Sequence, residues 1–218
     1  MRVLFIGDSI TDADRDRRNY HDLGHGYAVR AAKMLTDEMP EREFEFINMG
    51  ISANRTGQLF DRLYADAISF QPDVVVLLIG INDIGRRYKK GDKHIETSDE
   101  QLVLNYRSIL TQLRKHTKAK ILMMSPFILD ADISKLFPLA DECGEPMRSD
   151  VARIIPAIEG LADEYADGYI PLKALFDEAL LAQPEPCYYS ADGIHPNANG
   201  AEFIAKLCAD KLKTIINS

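Results

Sequence analysis

Val74-Val75-Val76-Leu77-Leu78-Ile79 is an unbroken aliphatic run, preceded by Pro72-Asp73 and ended by Gly80. A strand with one wet face alternates apolar and polar residues. A continuous run of this kind predicts a parallel strand covered on both faces. Shorter apolar runs at 3–6, 44–48, 120–124 and 169–171 predict four more strands. Amphipathic stretches between them predict helices over 25–38, 57–69, 99–116, 149–166, 173–182 and 198–216. Ser98 and Gln101 have the spacing of a capping box at the start of the third. In the last, Phe203, Ile204, Leu207, Cys208, Leu212, Ile215 and Ile216 recur at helical spacing, a face for docking on a sheet. Strand–helix alternation argues for an α/β, doubly wound sandwich around a parallel sheet. No repeat, low-complexity tract or linker divides the chain, so one domain is expected over 1–218. The stretch 127–148, rich in Pro, Asp and Leu, does not read as a clean helix; a lid, an oligomer contact and a loose connection all suit it.

Composition narrows the function classes. With 218 residues, 46% apolar and 28% charged, the chain has the makeup of an ordinary globular domain. Its net charge is −8 and it has no long Lys/Arg block, which argues against a nucleic-acid partner. The longest apolar run falls far short of the roughly 20 residues a membrane span needs, so no membrane role is expected. The N-terminal apolar stretch is brief and meets Asp8 at once, unlike a signal peptide. Cys143, Cys187 and Cys208 are odd in number and widely spaced, which suits free thiols in a reducing, cytoplasmic setting. Asn54-Arg55-Thr56 matches a glycosylation sequon, a chance match in a chain so placed.

Ligands of such sheets bind beyond the carboxyl ends of the strands. Three polar segments fall there: Gly7-Asp8-Ser9-Ile10-Thr11, Asn48-Met49-Gly50-Ile51-Ser52-Ala53-Asn54 and Gly80-Ile81-Asn82-Asp83. A fourth, Ser190-Ala191-Asp192-Gly193-Ile194-His195-Pro196, precedes the last helix. Acyl transfer needs a hydroxyl, a base to take its proton and a third group to hold that base in the right tautomer. Ser9, His195 and Asp192 can fill these roles, because three residues of chain are enough to fold an aspartate onto the imidazole. The developing oxyanion needs donors. The backbone N–H groups of Ser9 and Gly50 and the side-chain amide of Asn82 are the candidates, with Gly50 allowing a close approach.

Asp8 and Asp83 flank the site and suit turn hydrogen bonds better than acid–base chemistry. His21 and His25 lack a carboxylate or thiol set for a metal and suit a substrate loop or the surface. Asp12-Ala13-Asp14-Arg15-Asp16 imitates a calcium loop but has Arg17 and Leu23 where the Gly and Glu are required. The runs Arg15, Arg17, Arg18, Tyr20 and Arg86, Arg87, Tyr88 are either solvated charge or a sugar-binding rim. Asp8, Tyr20, Arg55, Arg86 and Tyr88 are the expected substrate contacts. No metal or cofactor is called for.

The four segments in this order resemble the SGNH, or GDSL-type, hydrolase superfamily, whose blocks supply Ser, Gly, Asn and His. The resemblance spans residues 7–196. It implies a flavodoxin-like sandwich with a five-stranded sheet and metal-free ester hydrolysis. It also implies a triad of Ser9, His195 and Asp192, with Ser9, Gly50 and Asn82 as oxyanion hole. The Gly-x-Ser-x-Gly elbow of ordinary α/β-hydrolases is absent, since Thr11 stands at its second glycine. Gly7–Asp12, Leu23-Gly24-His25-Gly26-Tyr27, Asn48–Ser52 and Gly80–Asp83 look like the intracellular bacterial acetylxylan esterases of this superfamily. That likeness implies a small-molecule partner, an acetylated xylo-oligosaccharide, with a homo-oligomer left open. Ala53 and Arg55 depart from the usual glycine and threonine, which bears on substrate choice. The alternatives are a lysophospholipase or thioesterase for longer acyl chains and a catalytically idle carbohydrate-binding module.

Overall fold

The computed structural model describes residues 1–88, 96–131 and 140–218. Five parallel strands, β1 (Arg2–Gly7), β2 (Glu45–Gly50), β3 (Val74–Leu78), β4 (Lys120–Met124) and β5 (Gly168–Ile170), lie in the order β2-β1-β3-β4-β5. Leu4 pairs with Ile47 on one side and Val75 on the other, and Leu77 pairs with Met123. Every residue of β3 is buried, which requires cover on both faces of the sheet. The order reverses between β1 and β3, and the crevice beyond their carboxyl ends is where flavodoxin-like sheets place a ligand.

The helices are α1 (Ser9–Asp12), α2 (Tyr27–Glu38), α3 (Thr56–Asp66), α4 (Ile81–Gly85), α5 (Asp99–His116), α6 (Ala140–Tyr165), α7 (Leu172–Ala182) and α8 (Ala198–Asn217). Five of them pack in two groups, α2 on α8 and α3 on α5 on α6. The apolar face read in the last helix is buried at Ile204, Cys208, Leu212 and Ile215. Asn197 caps that helix, its side chain accepting the N–H groups of Asn199 and Gly200. At α5 the Ser98 Oγ accepts the Gln101 N–H at 3.2 Å, but the Gln101 amide turns to Asn105, so half of the expected capping box forms.

The reading of 127–148 as non-helical is corrected from Ala140 onward, where α6 begins. Pro146 and Pro156 lie inside that helix, each removing one backbone donor. Met147, Val151, Ile154, Ile158 and Leu161 nonetheless form a buried stripe at helical spacing, which holds the helix through both prolines. Phe127, Ile128 and Leu129 are buried, and the Leu129 N–H donates to Gly193 O at 2.8 Å. This stretch therefore supports the loop that carries His195; its residues 132–139 lie outside the described ones. Among the described residues, no helix is long and apolar enough to cross a membrane.

Candidate active site

The turn after β1 leaves little room. A Cβ at Gly7 would lie 2.1 Å from Leu78 O, so only glycine lets β1 pass β3 here. Asp8 follows as N-cap of α1, its Oδ1 accepting the Ile10 N–H at 3.1 Å. Ser9, the first residue of α1, places its Oγ 2.9 Å from His195 Nε2. His195 Nδ1 lies 2.8 Å from Asp192 Oδ2. Local geometry holds that pair together. Asp192 Oδ1 accepts the N–H groups of Ile194 at 2.9 Å and His195 at 2.7 Å, a turn that folds the imidazole onto the other carboxylate oxygen. Gly193 has φ +81°, and a Cβ there would meet Leu129 O at 2.6 Å. With the proton assigned to Nδ1 by the carboxylate beside it, Nε2 is left to accept from Ser9.

Burial alone would raise the Asp192 pKa, but the His195 imidazole and the N–H groups of His195 and Ile194 outweigh it and bring it down to about 2. The His195 pKa is raised by its hydrogen bond to Asp192, with the nearby charges of Asp8 and Asp14 adding to the effect. Asp8 is fully buried, and burial pushes its carboxyl up to about 7. Its Oδ2 has no hydrogen-bond partner among the described residues. Asp83 is also raised by burial, yet its two oxygens accept the Thr56 N–H at 2.9 Å and hydroxyl at 2.7 Å, pinning the start of α3 to α4.

The expected oxyanion donors fare differently. The N–H of Ser9 points to no acceptor among the described residues, as the role requires. The Asn82 amide donates one hydrogen to Asn54 O at 3.1 Å and has a second to offer. Gly50 requires correction. Its N–H donates to Asn48 Oδ1 at 2.8 Å, and a Cβ there would lie 2.2 Å from Asp12 N. Gly50 is thus the point where β2 passes α1, with its donor already used. In the loop beyond it, the Ile51 N–H donates to Gly7 O, that of Ser52 to Asp12 Oδ2 and that of Asn54 to Ile51 O. Ala53 alone in this loop keeps an N–H without an acceptor among the described residues, and its φ is +66°. A side chain held in that region costs about 1–2 kcal/mol. Its departure from the usual glycine was visible in the sequence; its open donor was not.

The structure places the expected substrate contacts in different settings. Asp8 is sealed from solvent. Tyr20 runs along the outer edge of β2, where its carbonyl accepts the Asn48 N–H and its ring packs 5.3 Å from that of Phe70. Arg55 is N-cap of α3, and its N–H donates to Gln58 Oε1. Arg86 and Tyr88 lie in the turn after α4, where the Tyr88 hydroxyl donates to Asp150 Oδ2 at 2.9 Å. Arg87 beside them bonds Thr97 O and pairs with Asp99 and Asp150. The arginines after Ser9 turn inward or to neighbours: Arg15 to Gly50 O, Arg17 to Asp12, Arg18 to Asp16. His21 bonds Phe46 O on the β2 edge.

The cavity over Ser9 has a volume of about 340 Å³ and is lined by Ser9, Asp14, His25, Ser52, His195 and Pro196 among others. Of His21 and His25, the latter lines this cavity. No group of three or more His, Cys, Asp or Glu suited to a metal occurs among the described residues.

A strand-exit serine, an imidazole and a carboxylate in one hydrogen-bonded line, at the switch point of a parallel sheet, is the arrangement of a serine hydrolase. The model of the GDSL-like Lipase/Acylhydrolase family matches residues 5–203, and the chain belongs to that family of carboxylic ester hydrolases. An acetylxylan esterase of Geobacillus stearothermophilus is 29% identical over 212 residues, 94% of this chain and 90% of that protein. One from Xylanibacter ruminicola is 29% identical over 98% of this chain, which spans 43% of the longer relative. The crystal structure of an acetylxylan esterase from Geobacillus stearothermophilus matches with a TM-score of 0.83 and 28% identity, covering 97% of this chain and 93% of that one. An alpha/beta hydrolase from the metagenome of Lake Arreo shares the fold, with a TM-score of 0.82 at 24% identity.

Proposed function

We propose that this chain is a serine esterase that removes short acyl groups, acetyl above all, from carbohydrate esters such as acetylated xylo-oligosaccharides. The observation that carries the reading is the line from Ser9 Oγ to His195 Nε2 at 2.9 Å and from His195 Nδ1 to Asp192 at 2.8 Å. His195 takes the Ser9 proton as Oγ adds to the ester carbonyl. The tetrahedral oxyanion is received by the N–H groups of Ser9 and Ala53 and by the Asn82 amide. As the carbonyl re-forms, the C–O bond to the alcohol breaks, and His195 gives its proton to the leaving oxygen. Water then adds to the acyl-serine with His195 again as base, which releases the acid and restores Ser9. Asp192 stays ionised throughout and stabilises the imidazolium. A small cavity whose walls mix polar and apolar groups, and relatives that are acetylxylan esterases, support a short acyl group on a sugar. The widely spaced, odd cysteines support a cytoplasmic setting, and the absence of linkers supports one domain.

Replacing Ser9→Ala tests the nucleophile. Hydrolysis of p-nitrophenyl acetate should fall by about 10⁵-fold or more while circular dichroism and melting stay as in the wild type. Turnover retained by the variant would sink the assignment. A series of p-nitrophenyl esters should favour acetate; a preference beyond about eight carbons supports the long-chain reading instead.

A further inference from the structure

The geometry points to a subsite for the alcohol half of the ester, formed by Asp14 and His25 and suited to an uncharged, polyhydroxylated acceptor. The inference rests on the esterase reading above and goes on to name what distinguishes one ester from another. Asp14 and His25 line the same cavity as Ser9 and His195, whereas Asn82 and Ala53 do not. His195 must hand its proton to the leaving oxygen, so the alcohol lies on the His195 side and the carbonyl oxygen on the side of the oxyanion donors. The carboxylate of Asp14 is near enough to His195 to be felt by its imidazole.

The backbone here is unusual for its residue types. Ala13 has φ +44° and Asp14 φ +60°, a region that glycine enters without steric cost. The facing turn, Gly24-His25-Gly26, is packed hard against them. A Cβ at Gly24 would lie 2.5 Å from Ala13 O, and one at Gly26 would lie 2.7 Å from Ala13 Cβ. The His25 N–H donates to Ala13 O at 2.9 Å, which ties the two segments together. Glycine would satisfy the backbone at position 14 more easily than aspartate does. The carboxylate kept there has no hydrogen-bond or ion-pair partner among the described residues, nor has the His25 ring, and both side chains are exposed in the cavity.

Unpaired polar groups of this kind fit adjacent sugar hydroxyls. A carboxylate accepts from two O–H groups, and a neutral imidazole can donate and accept. The negative charge disfavours a uronate or a phosphodiester on the leaving group, which separates neutral glycosides from lysophospholipids. A p-nitrophenyl leaving group offers no hydroxyl to either residue.

The test compares kcat/KM for a monoacetylated methyl β-xyloside with that for p-nitrophenyl acetate, both on the alkaline plateau of the pH profile where His195 is neutral. In Asp14→Gly and in His25→Ala the ratio of the two should fall about tenfold. Asp14→Gly should melt at or above the wild-type temperature, because the left-handed backbone is then unstrained. The corresponding acetylated glucuronide should be a poorer substrate than its neutral counterpart for the wild type, and should recover in Asp14→Gly. Ratios within twofold of wild type in both variants would overturn the subsite and leave the esterase reading standing. A wild type that cleaves p-nitrophenyl acetate but no acetylated xyloside would remove the carbohydrate reading and the subsite together.

Discussion

Two loops bring a carboxylate to His195, and they treat it in opposite ways. In the loop before α8, Asp192 receives the imidazole N–H and two backbone N–H groups, and its pKa falls to about 2 despite partial burial. In the turn after β1, Asp8 is fully buried with one backbone N–H on one oxygen and no partner on the other among the described residues, and its pKa rises to about 7. The side chains are chemically the same. What differs is the count of donors supplied against the loss of water, and that count sets which carboxylate orients the base as an anion. Asp8 is left as a helix cap whose charge appears only near neutral pH. The comparison shows that proximity to an imidazole does not by itself make an aspartate a triad member.

Asp192→Asn breaks the comparison at its stronger side and should have the largest effect. The amide cannot hold Nδ1–H as an anion does, so kcat should fall by about 10⁴-fold, with ground-state fold unchanged by circular dichroism. Asp8→Asn should act on stability instead. A carboxyl whose folded pKa is raised from 3.8 to about 7 is ionised in the unfolded chain before it is ionised in the folded one. The folded state therefore loses stability as pH rises from about 4 towards 7. The variant should be more stable than wild type at pH 8 by on the order of 2–4 kcal/mol, and no more stable below pH 4, in urea titrations at both pH values. Equal stabilities at pH 8 would show that Asp8 is solvated after all. The smallest effect is expected on the acid limb of kcat/KM. His195 is raised above 6.5 by Asp192 first and by Asp8 and Asp14 after it, so wild-type activity should fall at a pH above that ordinary value. In Asp8→Asn the limb should move to lower pH, by less than NMR titration of His195 shows in Asp192→Asn.

The parts of the site legible in the sequence are those made by neighbouring residues. The aliphatic run at 74–79 placed a central strand because continuous apolarity has one use in a sheet. Asp192 and His195 are three residues apart, and Ser9 leaves a strand, so a short segment of chain carries each element of the relay. The rim was illegible for the opposite reason. Arg86, Arg87 and Tyr88 read as solvated charge or a sugar-binding rim, yet Tyr88 bonds Asp150 across 62 residues and Arg87 spends its charge on Asp99 and Asp150. Tyr20 followed Ser9 in sequence but was carried off along the edge of β2. A charged or aromatic residue near a motif is near the site only if its own segment stays there.

The chain by itself thus determined the parallel α/β architecture and the hydrogen-bonding pairs that local geometry can form. Only the tertiary structure decided how each polar group is solvated and which backbone donors are left over. The Asn48 amide, held by Thr11 O and Leu23 O, took the Gly50 N–H, and that of Ala53 was left open among the described residues. The burial of the β1 turn separated Asp8 from Asp192 in charge, and the packing of Gly24-His25-Gly26 on Ala13 put Asp14 and His25 beside Ser9. Hydrophobic periodicity is a property of consecutive residues, whereas desolvation and donor supply are sums over segments that meet only when the chain has folded.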